Sequence, residues 1–96
     1  MTGVAFSDRA LSDLERLFEF LAGDDPTGAQ EAGRKIIDAA SILERHPLIG
    51  RPVLGPLREL VISQGRTGYA GLYRYLPEKD QVEILAIRHQ REAGFR

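Results

Sequence analysis

A run of three predicted strands in residues 57–91 constrains the fold of this chain more than any other feature. The strands are centred on residues 61–62, 69–75 and 82–89, where aliphatic and aromatic side chains dominate. Turn-forming residues separate them, with Ser, Gln and Gly at 63–65 and Pro, Glu, Lys and Asp at 77–80. A short antiparallel meander is not stable alone, so the rest of the chain must cover one of its faces.

The beginning of the chain predicts a short strand and a first helix. Residues 3–6 are apolar enough for a strand, and Ser7 is a favourable N-cap for the helix that follows. Leucines then recur at intervals of three and four residues until Gly23, which is typical of an amphipathic helix. Asp13 and the other charged residues are predicted on the remaining faces of this helix.

A second amphipathic helix begins at Asp25, as N-cap, and Pro26, and it ends before Pro47. The short link between the helices predicts an antiparallel αα-hairpin. Residues 46–56 are rich in proline and glycine and predict a loop. The predicted fold class is therefore α+β, a single domain over residues 1–96. An N-terminal strand and an antiparallel αα-hairpin pack on a C-terminal antiparallel three-stranded meander, in the order β-α-α-β-β-β.

Strict alternation along the predicted strands assigns side chains to the two faces of the sheet. In the middle strand, Tyr69, Gly71, Tyr73 and Tyr75 share one face. In the last strand, one face carries Val82, Ile84, Ala86 and Arg88, and the other carries Leu85, Ile87 and His89. Because residues 84–87 are apolar on both faces, we predict that this strand is central and covered. Its polar ending then lies at the rim of the sheet.

The composition excludes several kinds of site. The chain has no cysteine, which excludes disulfides and thiolate metal sites. His46 and His89 are far apart in sequence, and no metal-binding or phosphate-binding motif accompanies them, so we predict neither a metal nor a cofactor. There is no run long enough to span a membrane and no signal-peptide pattern. We therefore expect a cytoplasmic protein without a membrane partner.

The net charge of −1 conceals an asymmetry between the two halves of the chain. Residues 1–44 contain four basic and nine acidic residues, a charge of −5, whereas residues 45–96 contain nine basic and five acidic residues, a charge of +4. Most basic residues of the second half are arginines, which recognise phosphates and carboxylates. Chance segregation and a basic surface for nucleic acid or an acidic protein segment both account for this pattern.

Metal-free cleavage of RNA is one chemistry that the arginine-rich half permits, since it needs an acid, a base and cations around one phosphate. The candidates are His89 as the titrating group, Glu59 or Glu92 as a carboxylate base, and Arg58, Arg74, Arg88 and Arg91 as cations. A structural interpretation is equally good. In that interpretation His89 forms a hydrogen bond at the end of a strand, and Arg88 pairs with Glu59 or Glu83 across the sheet.

Five segments together resemble the RelE/ParE superfamily of toxins from bacterial type II toxin–antitoxin modules. They are Ser-Asp-Arg-Ala at 7–10, His-Pro-Leu-Ile-Gly-Arg-Pro at 46–52, Leu-Arg-Glu-Leu-Val-Ile at 57–62, Gly-Tyr-Ala-Gly-Leu-Tyr-Arg-Tyr at 68–75 and Val-Glu-Ile-Leu-Ala-Ile-Arg-His-Gln-Arg at 82–91. The resemblance runs nearly from end to end, and the predicted order of elements is the one that this superfamily has.

The resemblance implies one of two activities. The RelE-like branch cuts messenger RNA on the ribosome, whereas the ParE-like branch keeps the fold without the nuclease residues and poisons DNA gyrase. RelE-like nucleases typically carry a tyrosine, or a His-Tyr pair, after the arginine that Arg88 matches, and residues 88–95 here contain no tyrosine. The ending is more similar to the ParE side. The resemblance therefore implies a gyrase-inhibiting toxin of a plasmid-stabilisation type of module, with a ribosome-dependent messenger-RNA endoribonuclease as the alternative.

The same resemblance implies site residues and partners. The residues expected to bind the target are Arg88, His89, Arg91 and Arg96. The gyrase hypothesis assigns no catalytic residue, and the nuclease alternative assigns His89, Arg88, Arg74 and Arg58. A cognate antitoxin is expected to form a hetero-oligomer with the toxin. Its C-terminal segment would pack an amphipathic helix into an apolar groove and add a strand to the edge of the sheet.

Overall fold

The computed structural model of the protein describes residues 2–63 and 68–89. Its elements in chain order are β1 (Gly3–Phe6), α1 (Asp8–Asp24), α2 (Pro26–Arg45), β2 (Arg51–Leu54), β3 (Leu57–Ser63), β4 (Tyr69–Leu76) and β5 (Gln81–His89). The five strands form one sheet in the order β1-β5-β4-β3-β2. β1 runs parallel to β5, and the other neighbours are antiparallel. The predicted α+β fold class is confirmed.

Side-chain caps fix the start of both helices, as the sequence predicts. The hydroxyl of Ser7 accepts a hydrogen bond from the amide of Ala10 at 3.1 Å, and the carboxylate of Asp25 accepts one from the amide of Gly28 at 3.0 Å. Each bond satisfies an amide that has no partner within the helix. Pro26 is the first residue of α2, where its missing N–H costs nothing. Asp25 alone separates the two helices, which therefore form an αα-hairpin.

The segment 46–56, predicted as a loop, contains an additional strand. β2 pairs antiparallel with β3 through Arg51 and Glu59, so the order of elements is β-α-α-β-β-β-β. Pro52 lies within β2 and provides no N–H, which an edge strand tolerates. Gly55, in the turn to β3, has a φ of +53°, a left-handed conformation that glycine adopts without strain.

β5 contains a β-bulge. Leu72 of β4 pairs with Ala86, but the next residue, Tyr73, pairs with Ile84. Leu85 is therefore the extra residue on β5. Because alternation with a period of two holds only in an uninterrupted strand, the side chains that follow Leu85 point to the opposite faces from those predicted.

The bulge corrects the predicted faces at the end of β5. Ile87 packs in the core with Val82 and Ile84, although strict alternation predicts it on the other face. Arg88 consequently points away from the helices, and His89 points towards their side of the sheet. The bulge thus separates two adjacent candidate site residues across the sheet.

Beyond the end of β1, the first turns of α1 take the place of a neighbouring strand beside β5. The amide and the hydroxyl of Ser7 donate to the carbonyls of Ile84 and Leu85, at 2.9 and 3.0 Å. The carboxylate of Asp13 accepts a hydrogen bond from the amide of Ile87 at 2.9 Å. The prediction that Asp13 lies with the other charged residues on the outer faces of α1 is wrong, because it is 6% exposed.

The core lies between the two helices and one face of the sheet. One cluster consists of Ala10, Leu43, Tyr73, Val82, Ile84 and Ile87. An adjoining cluster consists of Leu17, Leu21, Ala32, Ile36 and Tyr69. Both helices contribute to the two clusters, so both cover the same face of the sheet. The opposite face is called here the open face.

Candidate functional site

In the described part of the chain, five charged side chains lie on the open face of the sheet. They are Arg51, Glu59, Arg74, Glu83 and Arg88. Tyr73 is buried beneath the helices, so its neighbours on β4 point to the open face, and the cross-strand register places the charged residues there as well. Arginine and glutamate side chains pair across neighbouring strands, which stabilises a sheet.

Glu59 joins two of these arginines. Its side chain is only 6% exposed, and its Oε1 accepts hydrogen bonds from Nε and Nη2 of Arg51 at 3.0 and 2.7 Å. Nη2 of Arg88 lies 3.6 Å from the other carboxylate oxygen. A buried carboxylate requires such compensation. Of the two partners that the sequence allows for Arg88, Glu59 and Glu83, the structure shows Glu59. The sequence does not indicate Arg51 as a partner of Glu59, because it predicts a loop where β2 lies.

Arg74 forms a second ion pair on the same face. Its Nε and Nη2 lie 2.9 and 2.8 Å from Oε1 of Glu83. The side chains are 41% and 32% exposed, so solvent screens this pair more than the one around Glu59. Arg74 is thus accessible to a partner, although its guanidinium is already oriented by Glu83.

Arg58 points to the opposite side of the sheet. It is in register with Tyr73, and its Nη1 donates to the carbonyls of Leu48 and Gly50 at 3.0 and 2.8 Å. The hydroxyl of Tyr73 accepts a hydrogen bond from the amide of Gly50 at 2.8 Å. Burial raises the pKa of Tyr73 above its ordinary value. Arg58 and Tyr73 together hold the loop between α2 and β2.

His89 lies at the end of β5 on the same side as the helices. Its ring packs edge-on against Tyr69, with ring centroids 5.8 Å apart and an angle of 70° between the planes. Tyr69 is 3% exposed, and His89 is half-buried. The arrangement agrees with an aromatic packing contact at the end of the strand.

The four candidate nuclease residues fall into two pairs on opposite sides of the sheet. Arg74 and Arg88 share the open face, and Arg58 and His89 lie on the helix side. Within each pair, the positions are four residues apart along β4, on the order of 13 Å at the usual rise of a strand. The structure therefore does not bring these four side chains around one point.

Other predicted site residues lie beyond the described parts of the chain. Arg91 and Arg96, expected to bind the target, fall outside residues 2–63 and 68–89, as does Glu92. Within those ranges, no three His, Asp or Glu side chains come together in a way that could hold a metal ion. Neither described helix is long and apolar enough to cross a membrane.

The fold is that of solved chains from bacterial toxin–antitoxin systems. The structure is similar to a chain of the chromosomal ParDE toxin–antitoxin system from Pseudomonas aeruginosa, with a TM-score of 0.74 and 20% identity over 93% of this chain and 96% of that one. It is also similar to a chain of the RelBE2 toxin–antitoxin complex from Mycobacterium tuberculosis, with a TM-score of 0.65 and 26% identity over 93% and 98%.

Sequence comparison identifies the family. The model of the family described as the ParE toxin of the type II toxin–antitoxin system, parDE, matches residues 4–94. Toxin RelE3 of Caulobacter vibrioides is 37% identical over 92 residues, which cover 96% of this chain and 98% of that protein. The chain therefore belongs to the ParE toxin family, within the RelE/ParE superfamily that its sequence resembles. It is a toxin of a type II toxin–antitoxin system.

Proposed function

We propose that this toxin acts by binding DNA gyrase and inhibiting it, without a catalytic site of its own. The observation that carries the proposal is the distribution of the candidate nuclease residues. Metal-free RNA cleavage needs an acid, a base and a cation within hydrogen-bond reach of one phosphate. His89 lies across the sheet from Arg74 and Arg88, and both of those arginines are paired with glutamates. This arrangement favours binding of a target protein over catalysis of RNA cleavage.

In this proposal the end of β5 and the residues that follow it form the contact with gyrase. Arg88 and His89 reach the rim of the sheet from its two sides, and Arg91 and Arg96 follow in the sequence. Arginine provides planar, permanently charged donors that suit carboxylates and phosphates of a large target. Binding energy spread over several such residues predicts graded losses on substitution, and not the abrupt loss that follows removal of a catalytic group.

Messenger-RNA cleavage on the ribosome is the second candidate. The RelE name of the relative from Caulobacter vibrioides favours it, as does the half-buried His89 beside Tyr69, the one imidazole among the four candidate nuclease residues. It requires that the ribosome or the RNA supply the groups that the toxin does not bring together.

A gyrase supercoiling assay with wild-type toxin and the His89→Ala variant tests these alternatives. With purified gyrase, relaxed plasmid and ATP, we expect the wild-type toxin to abolish supercoiling and to accumulate cleaved plasmid. The His89→Ala variant should keep inhibition within about tenfold, because a contact residue at a rim contributes only part of the binding energy. Both proteins must first bind their antitoxin, which shows that they are folded.

Unimpaired supercoiling by a wild-type toxin that binds its antitoxin would refute the gyrase proposal. The second measurement is then cleavage of messenger RNA on translating ribosomes. If the wild-type toxin cleaves and His89→Ala does not, the protein is a nuclease and His89 takes part in the chemistry.

We further propose that a cognate antitoxin neutralises the toxin at the groove between α2 and β3. The groove is lined by Lys35, Asp38, Ala39, Ile42, Leu60, Val61 and Ile62. β2 pairs with β3 only as far as Glu59, so in the described part of the sheet the outer edge of residues 60–63 has no neighbouring strand. An amphipathic helix fits such a groove, and an extended segment can pair with such an edge.

A carboxylate at the rim of this groove, on the outer edge of β3, should weaken antitoxin binding. Val61 is 42% exposed at the edge of the groove, so Val61→Glu should lower affinity for the antitoxin by at least about tenfold while the free toxin stays folded. Phe20→Glu, at an exposed position of α1 that does not line the groove, is the control. Equal antitoxin affinities for the two variants in a titration would contradict this assignment.

A further inference from the structure

The ion pair between Glu59 and Arg88 spans the full width of β4. The two residues lie on β3 and β5, with β4 between them, so their backbones are about 10 Å apart across the sheet. Nη2 of Arg88 nevertheless lies 3.6 Å from a carboxylate oxygen of Glu59. The side chain of Arg88 therefore lies along the open face and extends over β4, instead of pointing straight out into solvent.

Small residues of the sheet leave room for this side chain. Ala70 of β4 is directly opposite Arg88 in the strand register. Ala86 of β5 is opposite Leu72, which is in turn the β4 neighbour of Glu59. Both alanines are 1% exposed, although both described helices lie on the other face of the sheet. A long side chain at position 70 would occupy the space that Arg88 needs in order to reach β3.

The carboxylate that Arg88 reaches is itself fixed. Glu59 is 6% exposed, and its Oε1 is held by two hydrogen bonds from Arg51, at 3.0 and 2.7 Å. Its other oxygen faces Arg88. Nη1 of Arg88 also donates to the carbonyl of His89, at 3.5 Å. A guanidinium held at both of its ends has lost rotamer freedom before any partner arrives.

The second ion pair of the open face is closer but less buried. Nη2 of Arg74 lies 2.8 Å from Glu83, and these side chains are 41% and 32% exposed. The corresponding exposed fractions are 20% for Arg88 and 6% for Glu59. Solvent screens a buried pair much less, so Glu59 restrains its arginine even at the longer distance. Of the two glutamates, Glu59 is therefore the one expected to order an arginine.

We propose that Glu59 is a positioning residue for target binding, which holds the guanidinium of Arg88 in one orientation at the end of β5. The inference rests on the proposed function, in which Arg88 is a contact with gyrase. The exposed fifth of the Arg88 side chain is the part that meets the target. A side chain that is ordered only on binding costs the complex free energy that a pre-ordered one does not. Glu59 thus contributes to affinity without touching gyrase.

Glu59→Gln tests this role, because the amide keeps the size of the side chain and removes the charge that holds Arg88. Binding to immobilised purified gyrase should weaken between about threefold and tenfold, the cost of ordering one long side chain. In a toxin that already carries Arg88→Ala, the same substitution should have no further effect. Glu83→Gln removes the same charge from the same face but pairs with Arg74, so it should weaken binding clearly less. Urea denaturation shows whether each variant is folded under the conditions of the assay.

Side-chain NMR gives a measurement that does not depend on gyrase. Nitrogen relaxation of the Nε–Hε group of Arg88 should give an order parameter near that of a rigid backbone, about 0.85, in the free wild-type toxin. The value should fall below about 0.6 in Glu59→Gln. Arg45, which is exposed on α2, should be mobile in both proteins. A mobile Arg88 in the wild type would overturn the proposal even if Glu59→Gln does not fold.

The binding results separate this inference from the proposed function. Wild-type affinity in Glu59→Gln would show that Arg88 needs no positioning. Equal losses with and without Arg88→Ala would show that Glu59 acts through the fold alone, and an equal loss in Glu83→Gln would show a general effect of charge. Each of these results overturns the inference and leaves the gyrase proposal standing. A folded wild-type toxin that does not bind gyrase would refute the proposed function, and this inference with it.

Discussion

Replacing Gly50 with alanine is expected to lower the free energy of unfolding by about 2–4 kcal/mol, through overpacking and a lost hydrogen bond. A Cβ at this position would lie 2.6 Å from Cε1 and 2.7 Å from the hydroxyl of Tyr73, and 2.8 Å from the carbonyl oxygen of Glu59. Tyr73 is 1% exposed in the core, and the carbonyl belongs to the backbone of β3. Neither can move aside, so the close approach requires glycine.

Urea denaturation followed by circular dichroism measures the effect. Gly23→Ala is the control, since a Cβ there meets nothing within 4 Å and the residue lies in α1. Alanine in a helix is favoured over glycine by up to about 1 kcal/mol, so this variant should be unchanged or more stable. The same substitution is thus expected to have opposite effects at two positions. A Gly50→Ala protein with the wild-type midpoint would show that the loop can shift away from Tyr73.

The helices were predictable because their signals are local. Ser7, Asp25 and Pro26 act within one turn of their own positions, and the leucine spacing of α1 reflects a single buried face. β2 was not predictable in the same way, because its pairing with β3 stabilises it and its own proline and glycines favour a loop. A strand that depends on its neighbour leaves little signal in its own residues.

In the candidate site, too, some features follow from local sequence signals and others depend on pairing with distant residues. The pairing of Arg88 with Glu59 could be proposed from the sequence, because cross-strand partners of opposite charge are common. The faces of Arg88 and His89 depend on the bulge at Leu85, which inserts one residue without a distinctive local signal. The position of Arg51 beside Glu59 depends on β2, the strand that the sequence does not predict. The residues that determine whether this site does chemistry are thus those whose placement depends on non-local pairing.

Asp13 lies in a stretch of α1 whose sequence predicts surface positions, but it is buried and accepts a hydrogen bond from the amide of Ile87. Replacing it with alanine should cost about 2–3 kcal/mol, because the buried amide of Ile87 then loses a charged acceptor at 2.9 Å. The nearby Arg9 and Arg16 add little, since their side chains are 49% and 48% exposed and lie 4.0 and 3.4 Å from the carboxylate. Asp13→Asn keeps an oxygen acceptor in place and should cost less.

Glu15→Ala provides the comparison for Asp13→Ala, because Glu15 is an exposed acidic residue of the same helix and its loss should change stability by less than about 0.5 kcal/mol. Hydrogen exchange of the Ile87 amide separates the proposed hydrogen bond from a general loss of helix stability. The amide should exchange faster in Asp13→Ala than its lower global stability explains, and Asp13→Asn should restore most of the protection. If Asp13→Ala and Glu15→Ala unfold at the same urea concentration and protect Ile87 equally, α1 does not replace a strand beside β5. The bulge would then have to be stabilised by the pairing with β4 alone.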